Sequence, residues 1–338
     1  MTLTAGDLDE SALLARIFPR LNSSASVLLG PGDDAAVMAA PDGRTVVSID
    51  TQVQDRDFRL HWPNGYASTG FDVGWKAAGQ NLSDINAMGA VASSMVVSLT
   101  IPSKTPVKWV EDLADGLTAA IKELGAGDCS VAGGDLSGGS EIVVTVAILG
   151  SLEGREPVLR SGAQAGDVLA LAGTVGRAAA GWTLLESAIP IADFQPEQEE
   201  AVSIFCRPRP PLAEGPEAAK AGATAMLDIS DGLLRDATRL AKASAVVVDL
   251  DPEALLTLAE PLWETAALLG MDPLDWVLGG GEDHGLLSTF PAGIPLPAGF
   301  TAIGSILPGS HNGPPVTIAG NAAATAESNT VGWDHFAR

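Results

Sequence analysis

The chain has 338 residues, a formal net charge of −23, 46% hydrophobic residues and two cysteines. Its length allows two domains, and its apolar content is enough to bury a core in each. The acidic charge repels nucleic acid and anionic membranes. Because no apolar run has the length of a bilayer span and the N-terminus lacks a basic-then-apolar leader, we expect a soluble cytoplasmic protein without nucleic-acid or membrane partners. Cys129 and Cys206 form neither a metal-ligand spacing nor a disulfide framework.

The first part of the chain alternates between helix-period and strand-like apolar patterns. The predicted elements are a helix at 8–18, a glycine-rich turn at 30–34, a buried strand at 45–49 that Asp50 ends, a loop at 56–64, a helix at 75–90, a strand at 94–101, a helix at 107–124, a turn at 133–140 and a strand at 141–149.

Polar and glycine residues at 151–156 mark a boundary, after which the alternation starts again. The predicted elements are a strand at 167–172, a helix through Trp182 and Leu185, a proline-rich linker at 208–211, a helix ending near Ala221, a strand at 225–229, a helix at 233–242, a strand at 245–250, a helix at 252–269 and a glycine-rich turn at 279–283. Strands and helices mix in both halves. We therefore predict an α/β or α+β fold with two lobes, residues 1–150 and 151–338.

Asp84 lies inside the predicted helix 75–90, on the side roughly opposite an apolar stripe that includes Leu82 and Ile85, with Asn81 on the flank. Considered alone, Asp84 is explained as a solvated surface charge. However, further aspartates occur beside glycine, serine or a strand end, and with Asp84 they form the set Asp34, Asp50, Asp84, Asp135, Asp228 and Asp231. We predict that the fold brings these carboxylates together around bound phosphates. Oxygen-only ligands suit Mg²⁺, and the absence of nearby histidine or thiolate argues against zinc.

The run DISDGL at 228–233 places two acids three residues apart at a strand-to-helix turn. One explanation is that Ser230 or Asp231 caps the following helix, but a cap needs only one of the acids. Metal binding is therefore favoured, and a helix N-terminus would also favour phosphate. The chain has neither a P-loop motif nor the protein-kinase loops. Considered alone, the run 133–135 is explained equally well as an ordinary turn and as part of a binding site. The same holds for the run 282–283, which could consist of solvated turn acids.

Eight segments occur in an order that resembles the thiamine-monophosphate kinase family. They are GPGDDAAV at 30–37, SIDT at 48–51, KAAGQNLSDINAMGA at 76–90, GGD at 133–135, RSGAQAGD at 160–167, DISDGL at 228–233, GED at 281–283 and GWDHF at 332–336. That family is related to aminoimidazole ribonucleotide synthetase, selenophosphate synthetase and the hydrogenase maturation dehydratase. The resemblance spans nearly the whole chain.

The resemblance implies a cytoplasmic homodimer with an N-terminal α/β lobe that binds ATP and magnesium and forms a dimer through its sheet, and a C-terminal α/β lobe. It implies ATP-dependent phosphorylation of thiamine monophosphate to thiamine diphosphate, the last step of thiamine diphosphate biosynthesis, with several Mg²⁺ ions. The implied magnesium ligands are Asp34, Ser48, Asp50, Asp84, Asp135, Asp228 and Asp231, of which Asp50, Asp84 and Asp231 are the implied catalytic residues. The implied ATP contacts are Gly134, Asp135, Arg160 and Ser230, and the implied substrate contacts are Asp57, Glu282 and Trp333.

The chain departs from the family pattern at four positions. Asp57 replaces a histidine, Ile49 a threonine, His284 a tyrosine and Ala114 an aromatic residue. Two alternatives stay open: an ATP-dependent synthetase of the same superfamily, and a catalytically silent metal- or nucleotide-binding regulator. Selenophosphate synthetase would need a reactive cysteine near the N-terminus, and none precedes Cys129.

The expected mechanism follows from charge. The donor γ-phosphoryl group and the acceptor monophosphate are both anions, so cations must hold them in line. An acceptor phosphate oxygen is already deprotonated at neutral pH, so no general base is required. We expect catalysis by positioning and electrostatic stabilisation.

Overall fold

The β-branched and alternating runs of the chain form two separate main sheets in the computed structural model, which describes residues 3–8, 10–22, 24–29, 37–309 and 313–323. The chain divides into two compact units. The first comprises Met1–Ile85 and Ala90–Gly154, and the second comprises Asn86–Gly89 and Arg155–Arg338. In the described ranges, no helix is long and apolar enough to cross a membrane.

The first unit is built on a four-stranded sheet with the order β3-β6-β4-β5. Strands β4 and β5 are parallel, and the other neighbours are antiparallel. The elements are α1 Glu10–Ile17, β1 Val27–Leu29, β2 Val37–Met38, β3 Val46–Val53, α2 Gly70–Ala87, β4 Val91–Ile101, α3 Val107–Glu123, β5 Val131–Gly138 and β6 Val143–Ser151.

Glycines let the backbones of α2 and α3 approach each other. A Cβ atom added to Gly74 would lie 2.1 Å from the carbonyl oxygen of Leu113, and one added to Gly116 would lie 2.2 Å from that of Phe71. The core-facing side of α3 carries Val110, Leu113, Leu117 and Ile121, all buried. Side-chain burial and backbone contact therefore fix α2 against α3.

The second unit is built on a seven-stranded sheet with the order β13-β12-β9-β11-β7-β10-β8. Only the β12–β9 pair is parallel among the described strands of this sheet. The elements are β7 Val168–Ala172, α4 Arg177–Glu186, α5 Pro196–Cys206, α6 Glu214–Ala221, β8 Ala225–Ile229, α7 Leu233–Ser244, β9 Val246–Leu250, α8 Pro252–Ala259, α9 Trp263–Leu269, α10 Pro273–Gly279, β10 Gly285–Phe290, β11 Phe300–Pro308, β12 Val316–Ile318 and β13 Asn321–Ala322.

The predicted mixed α/β class is confirmed, as are the helix at 107–124 and the strand at 225–229. The prediction that Asp50 ends a buried strand was wrong. Strand β3 continues to Val53, and its residues Val47 and Ile49 are 67% and 63% exposed, because alternate side chains face opposite sides of the sheet.

Two further predictions failed for identifiable reasons. The predicted turn at 133–140 is largely strand β5, where Gly134 lies so close to β4 that a Cβ atom would come within 2.0 Å of the Val97 carbonyl oxygen. The predicted helix at 252–269 is interrupted by a 3₁₀ turn at Glu260–Leu262, where Pro261 has no backbone N–H to donate. Helix α5 was not predicted.

Candidate active site

Strand β3 and helix α2 bring three of the predicted ligands in the first unit to one interface. The Ser48 hydroxyl donates to Asp84 Oδ2 at 2.5 Å, and Gln52 Nε2 donates to Gln80 Oε1 at 2.8 Å. Residues 48, 50 and 52 alternate along β3 and so share the face that meets α2. Asp50 therefore lies between two contacts that join the strand to the helix.

Two amide oxygens, Gln52 Oε1 on β3 and Asn81 Oδ1 on α2, are buried without a hydrogen-bond partner among the described residues. Both side chains are at most 1% exposed, and Asn81 Nδ2 donates to the Ala77 carbonyl oxygen at 2.8 Å. Leaving such an acceptor unpaired costs about 1–3 kcal/mol. The sequence pattern predicts no role for Gln52 or Gln80. Their contact joins two distant segments, so no local pattern could reveal it.

Gly134 and Asp135 lie on β5, on the opposite edge of the same sheet. The register aligns Asp50 with Val146, Val97 and Gly134, so three strand spacings, about 14 Å, separate β3 from β5. Asp135 pairs with Ser98, and both are exposed on the other face. Asp135 Oδ2 accepts a hydrogen bond from the Ser137 hydroxyl at 2.9 Å. Within one chain, the structure therefore does not bring the Asp50 and Asp135 side chains together, and the two would serve different ions among the several expected.

The oxygen-only set of the β3–α2 interface fits magnesium. Among the described residues, no group of three or more His, Cys, Asp and Glu side chains is arranged to hold a metal ion. Magnesium keeps several waters and commonly takes one or two carboxylates, with substrate phosphates completing its shell. The Ser48 hydroxyl and the Asp50 and Asp84 carboxylates match that demand, whereas they do not match the preferences of zinc.

In the second unit, Asp228 is a buried residue of β8 next to β10. Its Oδ2 atom lies 3.3 Å from Nδ1 of His284, which is 5% exposed. His284 stands where the family pattern has tyrosine, and it has a positive φ of 56°. The sequence departure at this position thus places an imidazole directly against a predicted metal ligand.

Asp231 is held by an arginine from the helix that follows it. Arg239 Nη2 donates to Asp231 Oδ2 at 2.5 Å, and its Nη1 donates to Asp236 Oδ1 at 2.5 Å. The Asp231 backbone N–H donates to Asp236 Oδ2 at 2.9 Å. Burial raises the pKa of Asp236 to about 6, although Arg239 opposes that shift.

The capping explanation for the 228–233 run was wrong. The N-cap residue of α7 is Gly232, with φ of 115°, and no side chain makes a capping hydrogen bond there. Ser230 and Asp231 are therefore not explained as helix caps. The partners Asp236 and Arg239 were missed because only the folded helix places them beside residue 231.

The acidic turn at 282–283 contacts the 228–233 turn through the backbone. The Glu282 N–H donates to the Ser230 carbonyl oxygen at 3.0 Å, and a Cβ atom on Gly281 would lie 2.1 Å from that oxygen. These contacts place two implied ligand-binding residues, Ser230 and Glu282, on adjoining turns.

Asp283 is not a solvated turn acid. Its Oδ1 atom accepts from the Thr174 hydroxyl at 2.9 Å and from the Arg177 N–H at 3.1 Å, while Oδ2 accepts from the Ala178 N–H at 2.9 Å. Asp283 is buried and supports the N-terminus of α4. Burial raises the pKa of this carboxyl.

The remaining predicted site residues are placed as follows. Asp57 is largely buried, its Oδ2 accepts from the Val53 N–H at 2.7 Å, and its carbonyl oxygen accepts from the buried Lys76 ammonium at 2.9 Å. Arg160 is exposed, and its carbonyl oxygen accepts from the Ser244 hydroxyl at 3.1 Å. Asp34 and Trp333, with the rest of the 332–336 motif, lie outside the described residues.

Comparison with known proteins identifies relatives that match most of the chain. The family model of the AIR synthase related protein, N-terminal domain, matches residues 32–152. A thiamine-monophosphate kinase from Mycobacterium tuberculosis is 46% identical over 306 residues, covering 90% of this chain and 87% of that protein.

Solved structures give the same result. Thiamine-monophosphate kinase from Stenotrophomonas maltophilia is 31% identical with a TM-score of 0.77, over 96% of this chain and 99% of that one. AaThiL complexed with AMPPCP and TMP is 26% identical with a TM-score of 0.73, over 99% of this chain and 100% of that one. With this similarity along nearly its whole length, the chain belongs to the thiamine-monophosphate kinase family.

Proposed function

We propose that the chain transfers the γ-phosphoryl group of ATP to thiamine monophosphate, forming ADP and thiamine diphosphate. The observation that carries the proposal is the oxygen-only set of Ser48, Asp50 and Asp84 at one strand–helix interface, in a chain of this family. The likeness to AaThiL, which is complexed with AMPPCP and TMP, supports the choice of donor and acceptor.

The proposed mechanism is in-line transfer with electrostatic stabilisation. Magnesium, when bound, would neutralise the phosphates so that two anions can approach. Several ions are proposed: Ser48, Asp50 and Asp84 would hold magnesium in the first unit, and Asp228 and Asp231 would hold magnesium in the second. The acceptor phosphate oxygen needs no general base, so the residues act by positioning and by charge.

The other assignments are proposals of the same kind. We assign ATP contacts to Gly134, Asp135, Arg160 and Ser230, and thiamine contacts to Asp57, Glu282 and Trp333. An aromatic face such as that of Trp333 suits the cationic thiazolium. Asp34 and Asp135 complete the proposed magnesium ligands.

We also propose a cytoplasmic homodimer that pairs through the first unit. Strand β3 is an edge strand of its sheet, and its exposed face carries Val47 and Ile49. An exposed apolar edge is a liability that a second copy would remove. Light scattering at micromolar concentration should give the mass of two chains, and a monomer would contradict this proposal.

The direct test is turnover of purified protein with ATP, thiamine monophosphate and Mg²⁺. We expect thiamine diphosphate and ADP in equal amounts, and no product after removal of divalent cations. Preference for free thiamine, an amine or a carboxylate as acceptor would contradict the proposal and favour a synthetase. Nucleotide binding without turnover would favour a silent regulator, for which the Asp228–His284 contact is the motivating observation.

Asp84→Asn tests the metal role of the first unit. Because a charge at the phosphates is lost, turnover should fall by orders of magnitude while the melting temperature stays near that of the wild type. The matched control is Asp128→Asn, the same change at an exposed residue of the same unit. Equal turnover in the two variants would remove Asp84 from the active site.

A further inference from the structure

Arg239 joins two carboxylates of the 228–236 segment into one hydrogen-bonded unit. Its two terminal nitrogens reach Asp231 Oδ2 and Asp236 Oδ1, each at 2.5 Å. The Asp236 side chain is 1% exposed, the Asp231 side chain 19% and the Arg239 side chain 35%. Asp236 also accepts the backbone N–H of Asp231 at 2.9 Å, so side chain and backbone of Asp231 are fixed together.

The guanidinium contacts only one oxygen of Asp231. Arg239 binds Oδ2, and Arg235 Nε lies 3.8 Å from the same atom. Among the described residues, none donates a hydrogen bond to Oδ1. The carboxylate is therefore anchored through one oxygen, and the other stays available to a ligand.

Anchoring of this kind restricts a side chain that would otherwise sample several rotamers. An arginine suits the task because its planar fork presents two donors at a fixed spacing, whereas a lysine ammonium is a single point charge. Groups that hydrogen-bond to a metal-ligating side chain orient that side chain, and their loss commonly costs 10- to 100-fold in metal affinity or activity.

We propose that Arg239 is a positioning residue for phosphoryl transfer: by bridging Asp231 to Asp236, it holds Asp231 so that Oδ1 faces the bound divalent cation. This inference rests on the proposed role of Asp231 as a magnesium ligand. Arg239 itself contacts neither cation nor substrate in this scheme. Its effect on the reaction passes through Asp231.

The test measures cation binding directly, with Mn²⁺ as a paramagnetic substitute for Mg²⁺ and a non-hydrolysable ATP analogue present. Electron paramagnetic resonance of free Mn²⁺ gives the dissociation constant. Arg239→Gln should raise that constant by about tenfold, and it should lower kcat while the KM for thiamine monophosphate changes little. Lys242→Gln is the matched control, because it removes one positive charge from an exposed residue of the same helix. It should leave Mn²⁺ binding and turnover unchanged.

Arg239→Gln leaves the buried Asp236 without its cation, so thermal melting first establishes whether this variant folds. Arg239→Lys serves as a second variant. Lysine keeps the charge but cannot bridge both carboxylates, so the Mn²⁺ dissociation constant should lie between those of the wild type and Arg239→Gln. If Arg239→Gln does not fold, a wild-type constant in Arg239→Lys would overturn the proposal.

A double-mutant cycle with Asp231→Asn separates this inference from the proposed function. We expect Asp231→Asn to weaken Mn²⁺ binding, and Arg239→Gln to add little in that background because both act through one carboxylate. Wild-type Mn²⁺ binding and turnover in Asp231→Asn would refute the metal role of Asp231. Two outcomes would refute only the role of Arg239, provided that Asp231→Asn weakens Mn²⁺ binding. In the first, the effects of the two substitutions on the Mn²⁺ dissociation constant are fully additive; in the second, Arg239→Gln binds Mn²⁺ more tightly than the wild type.

Discussion

Replacing Gly74 by alanine should separate helices α2 and α3 and disturb the proposed site on α2. The added Cβ atom would lie 2.1 Å from the Leu113 carbonyl oxygen, and real Cβ contacts are essentially never shorter than 3.0 Å. The two atoms must therefore move apart by at least 0.9 Å. Neither can rotate away, because one is a backbone oxygen and the other is fixed to Cα.

Two opposing effects set the magnitude. Alanine is favoured over glycine in a helix interior by about 1 kcal/mol, whereas overpacking costs about 1–3 kcal/mol and sometimes more. Because the clash is between two backbones, we expect the second effect to exceed the first by about 2 kcal/mol. For a chain of 338 residues, whose entropy of unfolding is about 0.7 kcal/mol/K, that lowers the melting temperature by about 3 °C.

Calorimetry and turnover should be measured on the same preparation. A displacement of α2 by about 1 Å would also move Asp84 relative to Ser48, and misplacement on that scale can cost about 100-fold in rate. The control is Gly127→Ala in the same unit, where the added Cβ atom meets nothing within 4 Å. A Gly74→Ala variant as stable and as active as this control would refute the tight contact between α2 and α3.

Three further predictions concern buried ionisable groups. Asp283→Ala leaves three hydrogen-bond donors without an acceptor, so the free energy of unfolding in urea should fall by about 3 kcal/mol or more; an unchanged value would contradict the role of Asp283 at α4. Burial raises the pKa of Asp236 in the folded state from its ordinary value of 3.8 to about 6, so the native state binds this proton more tightly than the unfolded chain. The stability that this proton contributes is greatest below about pH 4 and is lost as the pH rises through 6. Relative to Asp236→Asn, the free energy of unfolding of the wild type in urea titrations should therefore fall by about 2 kcal/mol between pH 4 and pH 7; parallel curves would contradict this. Burial raises the pKa of the Cys129 thiol to about 12, so mass spectrometry should show no alkylation of Cys129 by iodoacetamide at pH 8 until the protein is unfolded; labelling of the folded protein would refute its burial.

Elements with a strong local pattern could be predicted from the sequence. Helix α3 repeats its buried apolar residues at helical spacing, and β8 is a short apolar run before a turn. Strand β5 could not be predicted, because its glycines are typical of a turn. Only the folded structure shows that Gly134 is needed for the close approach of the β4 backbone. The length of β3 also depends on its ladder with β6, which extends from Val46 to Val53.

The candidate site was predictable as a set of residue types but not as a set of contacts. Recurring aspartates indicated oxygen ligands, and the Ser48–Asp84 contact agrees with that expectation. The pairing of Asp228 with His284 joins positions 56 residues apart, and only folding shows it. The adjacent acids Glu282 and Asp283 are compatible with a solvated turn and also with a buried carboxylate that accepts hydrogen bonds from a helix N-terminus. The burial of Asp283 in the folded structure decides for the second.

The short segment Asn86–Gly89 belongs to the second unit, although the rest of that unit begins only at Arg155. Asn86 Oδ1 accepts from the Gly215 N–H at 2.9 Å, its Nδ2 donates to the Pro211 carbonyl oxygen at 3.1 Å, and the Met88 carbonyl oxygen accepts from the Val158 N–H at 3.3 Å. A gene fragment starting at residue 155 would therefore encode a unit with these backbone groups unpaired. During synthesis on the ribosome, the second unit would fold onto a segment that has already been made. Because that segment lies within the sequence of the first unit, a single cut of the chain does not separate the two units.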